Sequence, residues 1–120
     1  MIYESGLMIL KNLSVTALRK RRRQLARDVP SIEQVMRGTL SEAYKRCGRP
    51  NCHCADGPGH GPKHYLSVSQ AGGWPHRDYI RNADVGRVTQ CISNLHKLRD
   101  ILDEICAINT ELIRRHEDLG

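Results

Sequence analysis

Apolar positions recur at Leu7, Leu10, Leu13, Ala17, Leu18 and Leu25, in steps of three, four and seven. That spacing predicts a helix over 7–28, closed by Pro30. Ser31 with Gln34 three positions on has capping-box spacing, predicting a short helix through Met36 that stops at Gly38. From Thr39 the pattern can alternate (Leu40, Glu42, Tyr44 and Arg46 against Ser41, Ala43 and Lys45), a short strand leading to Cys47, with helix continuation as its competitor. Residues 47–62 are dominated by Gly, Pro, Cys and His and read as irregular. Residues 64–69 and 77–81 flank a Gly72-Gly73-Trp74-Pro75 turn and read as a β-hairpin.

The last segment carries the longest pattern. Asp84 can cap a helix running without Gly or Pro from about Arg87 to Asp118. Val88, Cys91, Leu95, Leu98, Leu102, Ile105, Asn109, Leu112 and His116 alternate three- and four-residue steps, a heptad seam for a partner or second copy. Ile92, Ile101, Ile108 and Ile113 widen its flanks, so the helix is expected to face more than one neighbour, the N-terminal helix first. An Asn109 in the seam would fix register by pairing with its counterpart across a symmetric interface; the alternative is a partly exposed Asn near the helix end.

Composition adds three constraints. With 120 residues, 39% hydrophobic and 4% aromatic, the chain allows one lean domain or two small modules, which favours a staple or a partner subunit. No apolar run could span a bilayer, and no basic region precedes the apolar N-terminal stretch, so the expectation is a cytoplasmic protein, nucleoid-associated if it binds DNA. The net charge of +6 is unevenly placed: residues 1–82 carry +8 and residues 83–120 carry −2. A basic front suits a polyanion, and the rear suits a protein.

Three of the five cysteines fall within eight residues, a clustering that in a reducing compartment points to metal before disulfides. Cys47 and Cys52 bracket a Gly-Arg-Pro-Asn turn, Cys54 returns two residues later, and a Gly/Pro-rich loop brings His60 back. Cys47, Cys52, Cys54 and His60 therefore form a candidate structural zinc site, with His64 or His53 as alternative fourth ligand. The competing readings are buried or loop thiols, or a redox pair, although no Cys-x-x-Cys opens a helix to lower a thiol pKa. Cys91 and Cys106, on the apolar side of the long helix, read as small core residues.

The run Cys47-Gly48-Arg49-Pro50-Asn51-Cys52-His53-Cys54, followed by Gly57-Pro58-Gly59-His60-Gly61-Pro62, resembles an uncharacterised family of small bacterial and archaeal proteins. Their signature is Cys-Gly-Lys/Arg-Pro-x-Cys-x-Cys with a later His-Gly-Pro, set between two helices. The likeness covers roughly residues 38–82. Such proteins are often encoded near transposases and other mobile elements, so the resemblance implies a DNA-related accessory role and supplies no catalytic residues.

Arg19, Lys20, Arg21, Arg22 and Arg23 are the first candidates for phosphate contact, joined by Lys45, Arg46 and Arg49 near the cysteines and by Arg77 and Arg81 on the hairpin. Trp74 reads as an exposed ring for base stacking, whereas Tyr65 and Tyr79 read as filling for a small hairpin core. No Gly loop followed by Lys-Ser/Thr and no paired magnesium-binding acids occur, and three thiolates with one imidazole would close a zinc site to water.

The expectation is thus an α+β protein in three parts. A basic N-terminal helix with a short helix (1–37) and a long C-terminal heptad helix (83–120), forming a helical hairpin or coiled coil, flank a zinc-stapled β-hairpin module (38–82). Its expected function is non-enzymatic binding of nucleic acid, DNA before RNA, as an architectural helper of a recombinase or transposase. The chain would form a homo-oligomer or dock on that larger protein through the helical seam. The alternatives are a protein–protein adaptor acting through the C-terminal helix, and a thiol-redox or zinc-dependent enzyme.

Overall fold

The computed structural model describes residues 10–45, 60–69 and 72–120. Its elements are α1 (Val15–Arg27), β1 (Thr39–Lys45), β2 (His60–Val68), β3 (His76–Ile80), a 3₁₀ turn (Asn82–Asp84) and α2 (Val85–Arg114). The α+β class stands as expected, with a three-stranded antiparallel sheet in the order β1-β2-β3. The chain divides into two compact units: residues 1–34 with 94–120, and residues 35–93. Helix α2 contributes to both.

In the helical unit, the expected helix over 7–28 is broken. Residues 10–12 are helical, and α1 starts afresh at Val15, where the Ser14 side chain accepts a hydrogen bond from the Ala17 amide at 3.1 Å. A serine that caps satisfies an amide that continuous helix would bond through the backbone. The break frees carbonyls at Leu10, Lys11 and Leu13, and the Arg115 guanidinium donates to all three at 3.1, 3.0 and 2.6 Å. Helix α1 ends at Asp28, two residues before Pro30.

The core of this unit is Leu10, Leu18, Leu25, Ile101, Ala107, Ile108 and Leu112, with Leu18, Ile108 and Leu112 fully inaccessible. Ile101 and Ile108, expected as flanks, lie in this core, and Leu102 of the expected seam is 49% exposed. The buried face of α2 is therefore rotated from the heptad line, following the 3.6-residue repeat of a straight helix. The helix stops four residues before Asp118. His116 adopts φ 61°, its amide bonds the Ile113 carbonyl at 3.0 Å, and the Glu117 amide bonds that of Leu112 at 2.9 Å. This is a Schellman closure with histidine in the usual glycine place.

At the end of the helical unit's first segment, the expected helix at Ser31–Met36 reduces to one turn, closed by the Gln34 amide on the Ser31 carbonyl at 3.1 Å. Between Pro30 and Gly38 too few residues remain to repay helix nucleation. Gly38 does not stop a helix; it admits β1 to the sheet. It holds φ 130°, and an added Cβ would lie 2.7 Å from Leu66 Cδ1 and 2.8 Å from the Ser67 carbonyl oxygen. Strand β2 begins at His60, earlier than the irregular stretch allowed. Pro62 is tolerated there because β2 pairs only with β1 until His64 meets Ile80.

Leu66 and Val68 point to one side and are buried with Val88 of α2, supported by Met36, Leu40, Ile80 and Ile92. Among the described residues of the unit, Leu66, Val68 and Val88 form the buried cluster. Among the described residues no helix is long and apolar enough to cross a membrane.

Candidate nucleic-acid interface

Alternation along the strands divides the chemistry of the sheet between its faces. Leu66 and Val68 fix the inner side, and register places their cross-strand partners Leu40, Asp78 and His76 with them, as well as Glu42 and Ile80 opposite His64. The other face then carries Thr39, Ser41 and Ala43 from β1, Lys63, Tyr65 and Ser67 from β2, and Arg77 and Tyr79 from β3. Both strand carboxylates, Glu42 and Asp78, fall on the inner side. Two cations and two tyrosines fall on the outer one, without an acid among its described strand residues.

Tyr65 and Tyr79 are directly opposed, their ring centroids 5.8 Å apart at 67°, an edge-to-face pair. The Arg77 guanidinium lies 3.9 Å from the Tyr65 ring centroid. Arg77 pairs with Ser67, so it reaches Tyr65 along the diagonal, where long side chains meet across a ladder. Tyr65 is thereby half-covered, and Tyr79 remains 56% exposed. These tyrosines are not hairpin core, as the sequence suggested. Leu66 and Val68 take that role, and the strand period forces Tyr65 outward. Trp74, in the turn before β3, is 91% exposed, as expected of it.

Arg81 and Arg87 flank Asp84, whose carboxylate accepts from Arg81 Nε at 2.9 Å and Arg87 Nη2 at 2.6 Å. Those two hydrogen bonds hold the Asp84 carboxyl below its ordinary range, and the bond to Asp84 raises the Arg81 guanidinium above its own. Asp84 therefore steadies two arginines at the start of α2; both remain largely in solvent.

The arginine run has a different fate. Arg19 donates to the Asp118 carbonyl at 2.8 Å and its carboxylate at 3.3 Å. Arg21 forks onto Glu104, whose hydrogen bond raises the guanidinium pKa further, and Arg22 donates to Asn109 Oδ1 at 2.7 Å and the Leu119 carbonyl at 2.6 Å. Three of the five expected phosphate contacts are thus occupied within the helical unit, while Lys20 and Arg23 are exposed. Asn109 is part-buried, and its side-chain oxygen accepts a hydrogen bond from Arg22. Of the expected seam, Val88 and Leu112 are buried in the chain's own cores, Ile105 is packed against one of them, and Cys91, Leu95 and Leu98 are half-buried.

Sequence reasoning missed the Glu111–Arg115 pair. Glu111 is 8% exposed and accepts from Arg115 Nε at 2.7 Å and Arg114 Nη1 at 3.0 Å. The Arg115 hydrogen bond leads in holding its carboxyl below the ordinary range, against desolvation. The i, i+4 spacing was the available signal.

The candidate metal ligands Cys47, Cys52, Cys54 and alternative His53 lie outside the described residues, as do Arg46 and Arg49 and the side chains of His60 and Lys45. Among the described residues no three metal-ligating side chains gather. His64 is described: it is half-buried, and its Nδ1 is buried with no hydrogen-bond partner. Cys91 and Cys106 are free thiols, and Cys106 is exposed, not a core residue as expected.

A family model, a domain of unknown function designated DUF6788, matches residues 15–90, which span α1, the sheet and the start of α2. No curated protein and no solved structure matches the chain.

Proposed function

We propose nucleic-acid binding as the function of this chain, which belongs to the DUF6788 family. The protein is non-enzymatic on this reading, and DNA is the polyanion. The observation that carries it is the segregation on the sheet: Lys63, Arg77, Tyr65 and Tyr79 on the outer face, with Glu42 and Asp78 on the other. Charge supports it, since residues 35–93 hold eight basic and four acidic residues. Cations on an acid-free face can displace condensed counterions from phosphates. The arginine run of α1 contributes Lys20 and Arg23; Arg19, Arg21 and Arg22 hold the helical unit together.

Zinc at Cys47, Cys52, Cys54 and His60 belongs to the same proposal, with His64 or His53 as the alternative fourth ligand. Among the described residues the buried cluster of the sheet unit is Leu66, Val68 and Val88, and metal would add folding energy to that unit. An accessory role beside a recombinase or transposase rests on the resemblance of the cysteine signature to proteins encoded near mobile elements.

The test is anisotropy of a labelled oligonucleotide across a salt series. Expected is affinity that falls linearly in log–log form, with Lys63→Ala and Arg77→Ala each reducing the slope by about 1. Salt-independent binding, or none, overturns the proposal. Elemental analysis of purified protein should give one zinc per chain, lost in Cys52→Ser; a folded, metal-free wild type overturns the zinc assignment.

A further inference from the structure

Resting on that reading, we infer that the strand recognised is unpaired: the hairpin β2–β3 is a stacking surface for single-stranded DNA, with Trp74 and Tyr79 as the rings that receive bases. A duplex exposes phosphates and base edges, whereas base faces are available only in single strands. A surface serving phosphates alone needs cations and gains nothing from exposed rings. Here Trp74 is 91% and Tyr79 56% exposed, forgoing much of the stabilisation that burying such large side chains supplies.

The rings differ in availability. Tyr65 already has the Arg77 guanidinium over its ring and the edge-to-face contact of Tyr79. It serves as a positioning residue, holding Arg77 on the face where a backbone phosphate would pass. Tyr79 and Trp74 retain free surface. They stand five residues apart on one strand and its turn, at most about 17 Å in extended chain. At roughly 3.4 Å per nucleotide in a stacked strand, about five nucleotides cover that distance. Charge complementarity names the occupant: the face of Tyr79 also carries Lys63 and Arg77, the strand acids are on the other, and Trp74 stands exposed just before β3.

Trp74 is the chain's single tryptophan, so its intrinsic fluorescence reports this surface alone. A short single-stranded deoxyoligonucleotide and its duplex are titrated against the full-length protein at one salt concentration. Expected are fluorescence quenching by the single strand and at least about tenfold tighter binding of it than of the duplex. Tyr79→Ala, and Trp74→Ala followed by anisotropy, should each weaken single-strand binding by about five- to a hundredfold. Tyr79→Phe should retain it, and duplex binding and salt slope should not move. Both side chains are exposed, so the variants should keep the wild-type circular dichroism spectrum. Equal binding of the two forms, indifferent to Tyr79→Ala and Trp74→Ala, overturns the stacking surface and leaves nucleic-acid binding standing. Binding of neither form overturns both.

Discussion

The two units employ arginine in opposite ways. In the helical unit, Arg19, Arg21, Arg22 and Arg115 are turned onto carboxylates, an amide and backbone carbonyls of the same chain. In the sheet unit, Arg77 lies on a tyrosine ring at the surface, and Arg81 and Arg87 share one carboxylate while staying in solvent. Among the described residues the buried clusters differ too, with seven members in the helical unit and three in the sheet unit. Charge density along the chain is therefore a poor guide to which cations lack an intrachain acid. In the densest basic run Arg19 and Arg21 meet acids eighty to a hundred positions away and Arg22 an amide and a carbonyl, which leaves Lys20 and Arg23. Lys63 and Arg77 lie on a sheet face without a strand acid among the described residues.

The comparison breaks most severely at the helical core. Leu18→Ala removes a fully buried side chain in contact range of no water, and should cost about 2–5 kcal/mol, read as a lower thermal midpoint by circular dichroism. A loss below 1 kcal/mol would show that this core collapses around the gap and is looser than its burial indicates.

Arg115→Ala comes next, because it removes a donor shared by three carbonyls at the break before Ser14. The expected loss is about 1–3 kcal/mol in chemical denaturation. Its partner Glu111 gives the pH dependence. The folded state depresses the Glu111 pKa, so its contribution is present above the ordinary glutamate pKa of 4.5 and disappears as pH falls through the lower folded value. Glu111→Gln should lower stability at neutral pH and flatten the acid limb of the stability profile. An unchanged acid limb would reassign that limb to other carboxylates.

Gly38→Ala tests the sheet unit. Positive φ and contacts under 3 Å to Leu66 and Ser67 act together, and a loss of about 1–3 kcal/mol is expected, seen first as faster hydrogen exchange at the β1–β2 ladder. Uniform acceleration through α1 as well would show that the two units unfold as one.

Much of this was legible from residue order. The hairpin, β1 and the long helix follow from alternation, turn residues and the absence of breakers. The failures have distinct physical origins. Apolar spacing continues through Ser14, because periodicity does not register a side chain competing for an amide. Leu and Ile populate two adjacent stripes of α2, so a 3.5-residue repeat and a 3.6-residue repeat choose different faces, and the latter put Ile101 and Ile108 inside. Tyr65 and Leu66 are both apolar enough for a core, and a one-residue choice of face decides which becomes a surface. Of the candidate sites, Trp74 and Arg77 were legible as exposed groups, whereas the intrachain partners of the arginine run depend on tertiary contacts that composition cannot encode.

The smallest effect separates the two arginine roles most directly. Arg21→Ala removes a fork on Glu104 between side chains 47% and 19% exposed. Ion pairs that reach solvent contribute little, so the stability loss should not exceed about 1 kcal/mol. Oligonucleotide affinity and its salt slope should stay at wild-type values, because this cation is already committed. Arg77→Ala should cost a comparable amount, about 0.5–1 kcal/mol, the size of a surface cation–π contact, but unlike Arg21→Ala it should lower the salt slope by about 1. If Arg21→Ala lowers the slope as much as Arg77→Ala does, the ion pair with Glu104 opens in the complex. The helical unit then belongs to the DNA interface, and the division of labour between the units fails.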